Sequence, residues 1–260
     1  MKRLRRTSKK YKMFMHEKHL STLFHDARRN NDVVILEGFH AVKHAVRFGA
    51  QIVVAVTAHR AMLMELVRVH APESTAFFVQ TVRDITENTY RSLASRPPRT
   101  GVIAIARRPQ YRLVDILRGS APIVCLDDLR DLNNIGASVR VAAAYGVSGV
   151  IVVGDIDPWK PTCLRGSAGL HFAVPIVPVT QEEVLSIDAP LYVFDERGVK
   201  LSSVEIPRRS VIVFGSERSG VRQIFREHAQ GVVRIAMREH VASLNVATAV
   251  AAGLYGGVYV

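Results

Sequence analysis

RIAMREHVASLNVATAVAAGLY, residues 234–255, is the stretch from which the fold is read. It joins three pieces. Val232–Ile235 is a short apolar run of strand type, and Met237–Ala242 is a loop carrying Arg238, Glu239 and His240. From Ser243 onward the residues are apolar or small on every side: Leu244, Val246, Ala247, Ala249, Val250 and Ala251. That pattern predicts a helix buried all round, with Ser243 as its N-cap and Asn245 in its first turn. A helix entered from a strand end presents free backbone N–H groups, which suits it to holding a polar ligand.

The rest of the chain shows what kind of domain this stretch belongs to. Pro122–Leu126, Val150–Val153 and Val211–Phe214 are continuous apolar runs, the mark of parallel strands buried on both faces. Ile135–Tyr145 and Thr162–Leu170 read as helices between strands, and Val174–Val177 and Leu191–Phe194 as further strands. The first part alternates in the same way. A helix over Met15–Arg29 precedes strands at Val33–Leu36, Ile52–Val56, Phe77–Val79 and Gly101–Ala106. Helices at Phe39–Phe48, Ala61–Val69 and Val82–Ala94 separate them. The pattern is α/β in both parts. The polar stretch Arg107–Gly119 divides them, giving a flexible basic tail over 1–15, a first domain over 16–115 and a second over 116–260.

Charge separates the two parts further. Residues 1–115 hold 21 Lys and Arg against 9 Asp and Glu, an excess equal to the formal +12 of the whole chain; residues 116–260 hold 14 of each. A basic module joined to a neutral one points to a polyanion, with RNA the expected partner. Phe39, Phe48 and Tyr90 are its candidate stacking residues, although the spacing of the phenylalanines favours the core. Cys125 and Cys163 form neither a metal-ligand spacing nor a disulfide framework, so a reducing, cytoplasmic setting and no metal are expected. No uninterrupted apolar run reaches membrane-spanning length, and MKRLRRTSKKYK is not followed by a signal-type apolar core.

Two more motifs carry chemistry. In LDDLRDLNNIGASVR a buried strand ends at Asp127 and Asp128, Asn134 can cap the next helix, and Gly136 permits a close backbone approach. Arg140 sits between Val139 and Val141, so it must either pair with a carboxylate, Asp127 or Asp128, or face a polar cleft. In VIVFGSERSGV a strand runs into Gly215, Ser216, Glu217 and Gly220. The motif is not a P-loop, because no Gly-Lys-Ser/Thr follows. The absence of G-x-G-x-x-G argues against a Rossmann oxidoreductase.

Taken in order, N-x-G-x-x-x-R at Asn134, Gly136 and Arg140, G-x-E-x-x-G at Gly215, Glu217 and Gly220, and S-L-N-V at Ser243–Val246 resemble the SpoU (TrmH) family of RNA ribose methyltransferases. Arg165–Pro175, RGSAGLHFAVP, is similar to that family's serine-glycine segment, and residues 30–106 more loosely resemble its extra ribosomal-protein-like RNA-binding domain. The resemblance implies a C-terminal methyltransferase domain with a parallel sheet and a deep trefoil knot, acting as a homodimer. It implies S-adenosylmethionine as cofactor, held by backbone groups at Gly215, Ile235 and Leu244. Arg140 is then the main catalytic candidate, with Asn134, Glu217, Ser243 and Asn245 orienting the nucleotide and loops. The implied reaction is methylation of a ribose 2′-hydroxyl, in ribosomal RNA before transfer RNA. A non-catalytic RNA-binding or ribosome-assembly protein on the same scaffold is the alternative. The family usually carries proline after the isoleucine of its third motif and glycine further along that loop. Here those positions are Ala236 and Glu239, which places bulk and charge beside the expected cofactor site.

Overall fold

The structure, a computed structural model, describes residues 17–94, 97–216, 218–241 and 243–260. The basic tail and Glu217 lie outside the described residues. The chain forms two compact units, Met1–Pro109 and Gln110–Val260. The division falls inside the polar stretch 107–119, at 109/110 instead of 115/116. The reason is packing: Tyr111, Leu113, Ile116 and Leu117 close onto the core of the second unit.

The first unit runs α1 (residues 17–27), β1 (Val33–Glu37), α2 (Phe39–Arg47), β2 (Ile52–Thr57), α3 (Arg60–His70), α4 (Thr75–Thr81), β3 (Val82–Asp84), α5 (Glu87–Ser92) and β4 (Ile103–Arg107). Its sheet has the order β1-β4-β2-β3; β4 is antiparallel to both its neighbours and β3 parallel to β2. Alternate residues of three strands, Ile35, Val54, Val56, Ile103 and Ile105, meet Leu20 and Phe24 of α1 in one core. Phe77–Val79, expected as a strand, is helical. Phe78 packs beside the Phe39 ring, centroids 5.8 Å apart, while Val79 faces solvent. A short apolar run cannot choose its own period, and here the neighbouring ring decides it. The strand expected there is instead Val82–Asp84, and the helix after it begins only at Glu87, capped by Thr86. Of the three candidate stacking residues, Phe39 and Tyr90 are buried and Phe48 is 51% exposed.

The second unit runs α6 (Leu113–Leu117), β5 (Ile123–Asp127), α7 (Leu132–Tyr145), β6 (Gly149–Val153), α8 (Pro161–Gly166), β7 (Ile176–Val179), α9 (Gln181–Leu185), β8 (Leu191–Lys200), β9 (Glu205–Ile206), β10 (Val211–Gly215), α10 (Gln223–Glu227), β11 (Gly231–Arg234), α11 (Val246–Gly256) and β12 (Val258–Tyr259). Six strands make one parallel sheet in the order β11-β8-β10-β5-β6-β7. The chain steps outward from β5 through β6 to β7, then crosses to the other side. The order therefore reverses between β5 and β10, and ligands of such sheets bind beyond the strand carboxyl ends at that point. No helix among the described residues is long and apolar enough to cross a membrane.

Several expected boundaries move. The helix expected over Thr162–Leu170 stops at Gly166, because Ala168 and Gly169 take left-handed conformations. β7 begins two residues later than Val174, and β8 continues six residues past Phe194. Asp131, not Asn134, caps α7: its carboxylate accepts from the Asn133 amide at 2.7 Å. Asn245, not Ser243, caps α11, its Oδ1 accepting from Ala247 at 3.0 Å and Thr248 at 3.4 Å. Asparagine at this position accepts from two free N–H groups with one side chain. α11 is also not buried all round. Val246, Ala247, Val250, Gly253 and Leu254 face inward, while Thr248 and Tyr255 are exposed.

Candidate active site

Three strand ends converge at the carboxyl edge of the second sheet. β5 delivers Asp127, whose side chain is fully buried. Its partner is Arg222: the Arg222 amide donates to Oδ2 at 2.8 Å and Nε to Oδ1 at 2.6 Å. A buried carboxylate needs such a partner, and this one leaves Arg140 unclaimed. Asp128, at φ 50°, lies 3.5 Å from Arg130. Among the described residues Arg140 has no ion-pair partner; it stands exposed on the outer side of α7. The glycine of this motif is structural. A Cβ on Gly136 would fall 2.3 Å from the Cys163 carbonyl oxygen and 3.0 Å from Gly166 Cα, so α7 and α8 cross backbone to backbone there.

β10 delivers Gly215. A Cβ on it would lie 2.1 Å from the carbonyl carbon of Gly220, because the loop folds back on itself. Ser216 and Gly220 form a bridge, the Gly220 amide donates to Ser216 O at 2.9 Å, and Gly220 has φ 66°. Ser216 Oγ and Ser219 Oγ sit 2.7 Å apart across the turn. Both motif glycines are thus required by geometry, one by close approach and one by conformation.

β11 leads through Ile235 and Met237 to Ser243, Leu244 and Asn245. Asn245 Nδ2 donates to Asn134 Oδ1 at 2.8 Å, joining the first and third motifs. Two adjoining cavities open here. One, of about 360 Å³, is lined by apolar Phe194, Phe214, Val233, Ile235 and Leu244, by Gly215, and by charged Asp195, Arg197 and Arg226. The other, of about 880 Å³, is polar and is lined by Asp128, Arg130, Asn134, Arg218 and Asn245. Ser216, Arg218, Ser219, Ser243 and Leu244 border both. The structure therefore brings together Asn134, Gly215, Ile235, Ser243, Leu244 and Asn245. It leaves Arg140 outside both cavities, and Glu217 lies outside the described residues. Ala236 and Glu239 are exposed and border neither cavity, so Glu239 does not crowd the smaller one. The left-handed residue of that loop is His240, at φ 67°.

Sequence reading missed Asp195 and Arg226. Both border the smaller cavity, and Arg226 Nε lies 3.0 Å from Asp195 Oδ2. Burial alone would raise the Asp195 carboxyl. Hydrogen bonds from Arg197 and the charges of Arg197 and Arg226 outweigh it and hold the group below the ordinary carboxylate range. The serine-glycine segment supplies support behind α7. Ser167 Oγ meets His171 Nδ1 at 2.6 Å, and His171 Nε2 meets Pro158 O at 2.8 Å, all buried. A nitrogen facing a carbonyl must carry the hydrogen, so in the neutral ring Ser167 is the donor. Among the described residues no group of three or more His, Cys, Asp or Glu is placed to hold a metal ion.

The sequence pattern defining the SpoU rRNA Methylase family matches residues 121–255, more than half of the chain. This chain belongs to the SpoU family. It is 33% identical over 153 residues to the 23S rRNA (guanosine-2′-O-)-methyltransferase RlmB of Xanthomonas campestris, a match covering 56% of this chain and 61% of that protein. The chain thus spans about three-fifths of the length of that relative. Against RlmB of Bordetella pertussis it is 29% identical over 239 residues, 86% of this chain and 96% of the relative. Among solved structures, an RNA 2′-O ribose methyltransferase shares the fold with a TM-score of 0.74 at 26% identity, covering 92% and 93% of the two chains. The SpoU methyltransferase AviRb of Streptomyces viridochromogenes, crystallised in complex with AdoMet, shares it at 0.70 and 23% identity, covering 88% and 90%. The α/β fold and parallel sheet are those of SpoU methyltransferases.

Proposed function

We propose that this protein is an S-adenosylmethionine-dependent methyltransferase that methylates a ribose 2′-hydroxyl in ribosomal RNA, as a cytoplasmic homodimer. The observation that carries this reading is the Asn245–Asn134 hydrogen bond in the wall of the polar cavity. It joins the first and third motifs in the polar cleft, beside the smaller pocket that shares Ser243 and Leu244 with it. The smaller cavity fits the cofactor. Its volume is that of small-molecule sites, its walls include apolar side chains that suit a purine, and Gly215, which has no side chain, lines it with main-chain atoms. Gly215, Ile235 and Leu244 would hold the cofactor through main-chain groups.

The bound cofactor supplies a methyl group already activated by a sulfonium. What remains is the acceptor, a neutral hydroxyl that must lose its proton as it attacks. Asn134, Ser243 and Asn245 orient the nucleotide in the polar cleft, with Glu217 as the further motif residue proposed for orienting nucleotide and loops. Alignment of the reacting atoms contributes much of the rate. Arg140 stabilises the developing alkoxide or grips the adjacent phosphate, because a guanidinium stays protonated and is a poor base. In one chain it lies outside the cleft, so it acts across a dimer contact built on the exposed side of α7 and on Tyr255. That tyrosine is 63% exposed and stands edge-on to Tyr145 at 5.2 Å.

The return of α11 from edge strand β11 to pack on α7 and on Phe214 supports a trefoil knot in this chain. The basic first unit provides RNA affinity through phosphate contacts. Transfer of a labelled methyl group from S-adenosylmethionine to 23S rRNA, with the label recovered as a 2′-O-methyl nucleoside, tests the reading. Label on a base, or none on RNA, contradicts it.

A further inference from the structure

The loop over residues 215–222 is pinned at both ends by arginine–aspartate pairs that belong to none of the three motifs. At its far end Arg222 is bound to Asp127 on β5. On the cavity side the pin is Arg226 of α10, whose side chain is only 20% exposed and whose partner Asp195 is 7% exposed. Its guanidinium touches three places. Nε lies 3.0 Å from Asp195 Oδ2 on β8, one terminal nitrogen donates to the Val221 carbonyl, and the other donates to Gln223 Oε1 at 3.2 Å. The Nε–H is not aimed at the carboxylate oxygen, so this contact is Coulombic and not a directed hydrogen bond. Asp195 is fixed in turn by Arg197, whose amide and Nε both donate to Oδ1 at 3.1 Å.

The Val221 carbonyl directly follows Gly220, and Gly220 is packed against Gly215 with no room for a Cβ between them. A shift of Val221 therefore moves Gly215. We propose that Arg226 and Asp195 form a latch that sets the position of the Gly215 backbone, making Arg226 a positioning residue for the methyl donor. The latch rests on the methyltransferase reading. It ties two walls of one pocket, β8 at Asp195 and the β10 loop, which among the described residues no backbone hydrogen bond joins past Phe214. The pair is largely removed from water, so removing either partner leaves an uncompensated charge beside the pocket.

A double-mutant cycle tests it in the full chain. Asp195→Asn, Arg226→Gln and the double variant are compared with wild type for S-adenosylmethionine affinity by calorimetry, for KM toward 23S rRNA, and for thermal unfolding. Each single change is expected to weaken cofactor affinity about tenfold or more, and the double change no further than the worse single one. KM for RNA stays within about twofold, since neither residue borders the polar cleft. Arg226→Lys keeps the charge but loses the fork that reaches Val221, so it recovers only part of the affinity. It also carries the test should a charge-removing variant fail to fold. Additive losses, or cofactor affinity unchanged in any single variant, overturn the latch. Wild-type protein that binds no S-adenosylmethionine instead overturns the methyltransferase reading, and the latch with it.

Discussion

Asn245 holds Asn134 at 2.8 Å with its Nδ2 and caps α11 with its Oδ1. The two atoms of one amide thus serve different purposes, and substitution can separate them. Asn245→Asp keeps the capping oxygen and loses the donor to Asn134. It should unfold within about 0.5 kcal/mol of wild type yet transfer methyl groups poorly. Asn245→Ala loses both and should also cost about 1 kcal/mol of stability. Urea unfolding and initial rates on the two variants check this; equal stability losses would mean the cap is not made by Oδ1.

Gly136 has no space for a methyl group. Its Cβ would meet backbone atoms, the Cys163 carbonyl and Gly166 Cα, which cannot rotate away. Gly136→Ala should destabilise the second unit by roughly 1–3 kcal/mol, despite the better helix propensity of alanine. A denaturation midpoint at or above wild type would show that α7 and α8 do not cross as closely as described.

Both cysteines should be inert in the native protein. Burial pushes the Cys163 thiol up to about 12 and raises Cys125 well above its usual value. A thiol reagent at pH 8 should label neither residue until denaturant is added, because the thiolate is the reactive form. Rapid labelling of Cys163 without denaturant would show that the segment behind α7 opens.

The exposed Tyr255 should lie in the dimer contact. Tyr255→Asp places a charge there and should give monomers by light scattering, with methyl transfer lost together with the dimer. A monomeric variant with full activity would remove Arg140 from the partner's cleft.

Much of the second unit was legible because buried parallel strands have no polar face: β6 and β10 are free of polar side chains throughout, and β5 is so up to Asp127 at its end. The motif glycines were legible for a similar reason, since only glycine meets their steric demands. The cap of α11 was not, as Ser243 and Asn245 are both good caps and only the fold chooses between them. Nor was α4, where a short uncharged run takes its period from the Phe39 ring beside it. The Asp127–Arg222 and Asp195–Arg226 pairs were invisible because pairing between distant segments leaves no local spacing: Arg222 is 95 residues from Asp127. Glu239 was expected to intrude on the cofactor pocket. It turns outward, and His240 takes the left-handed turn of that loop.

The central claim is ribose methylation of ribosomal RNA, and a map of alkali-resistant positions tests it most directly. A 2′-O-methyl group removes the hydroxyl that cleaves the RNA strand in base, so a methylated ribose survives. Ribosomal RNA from cells with the gene, without it, and with Arg140→Ala is compared position by position. The account predicts one or a few resistant riboses in 23S rRNA that disappear both on deletion and in Arg140→Ala, while the purified variant still binds S-adenosylmethionine and unfolds within about 0.5 kcal/mol of wild type. An identical map in all three strains would contradict it.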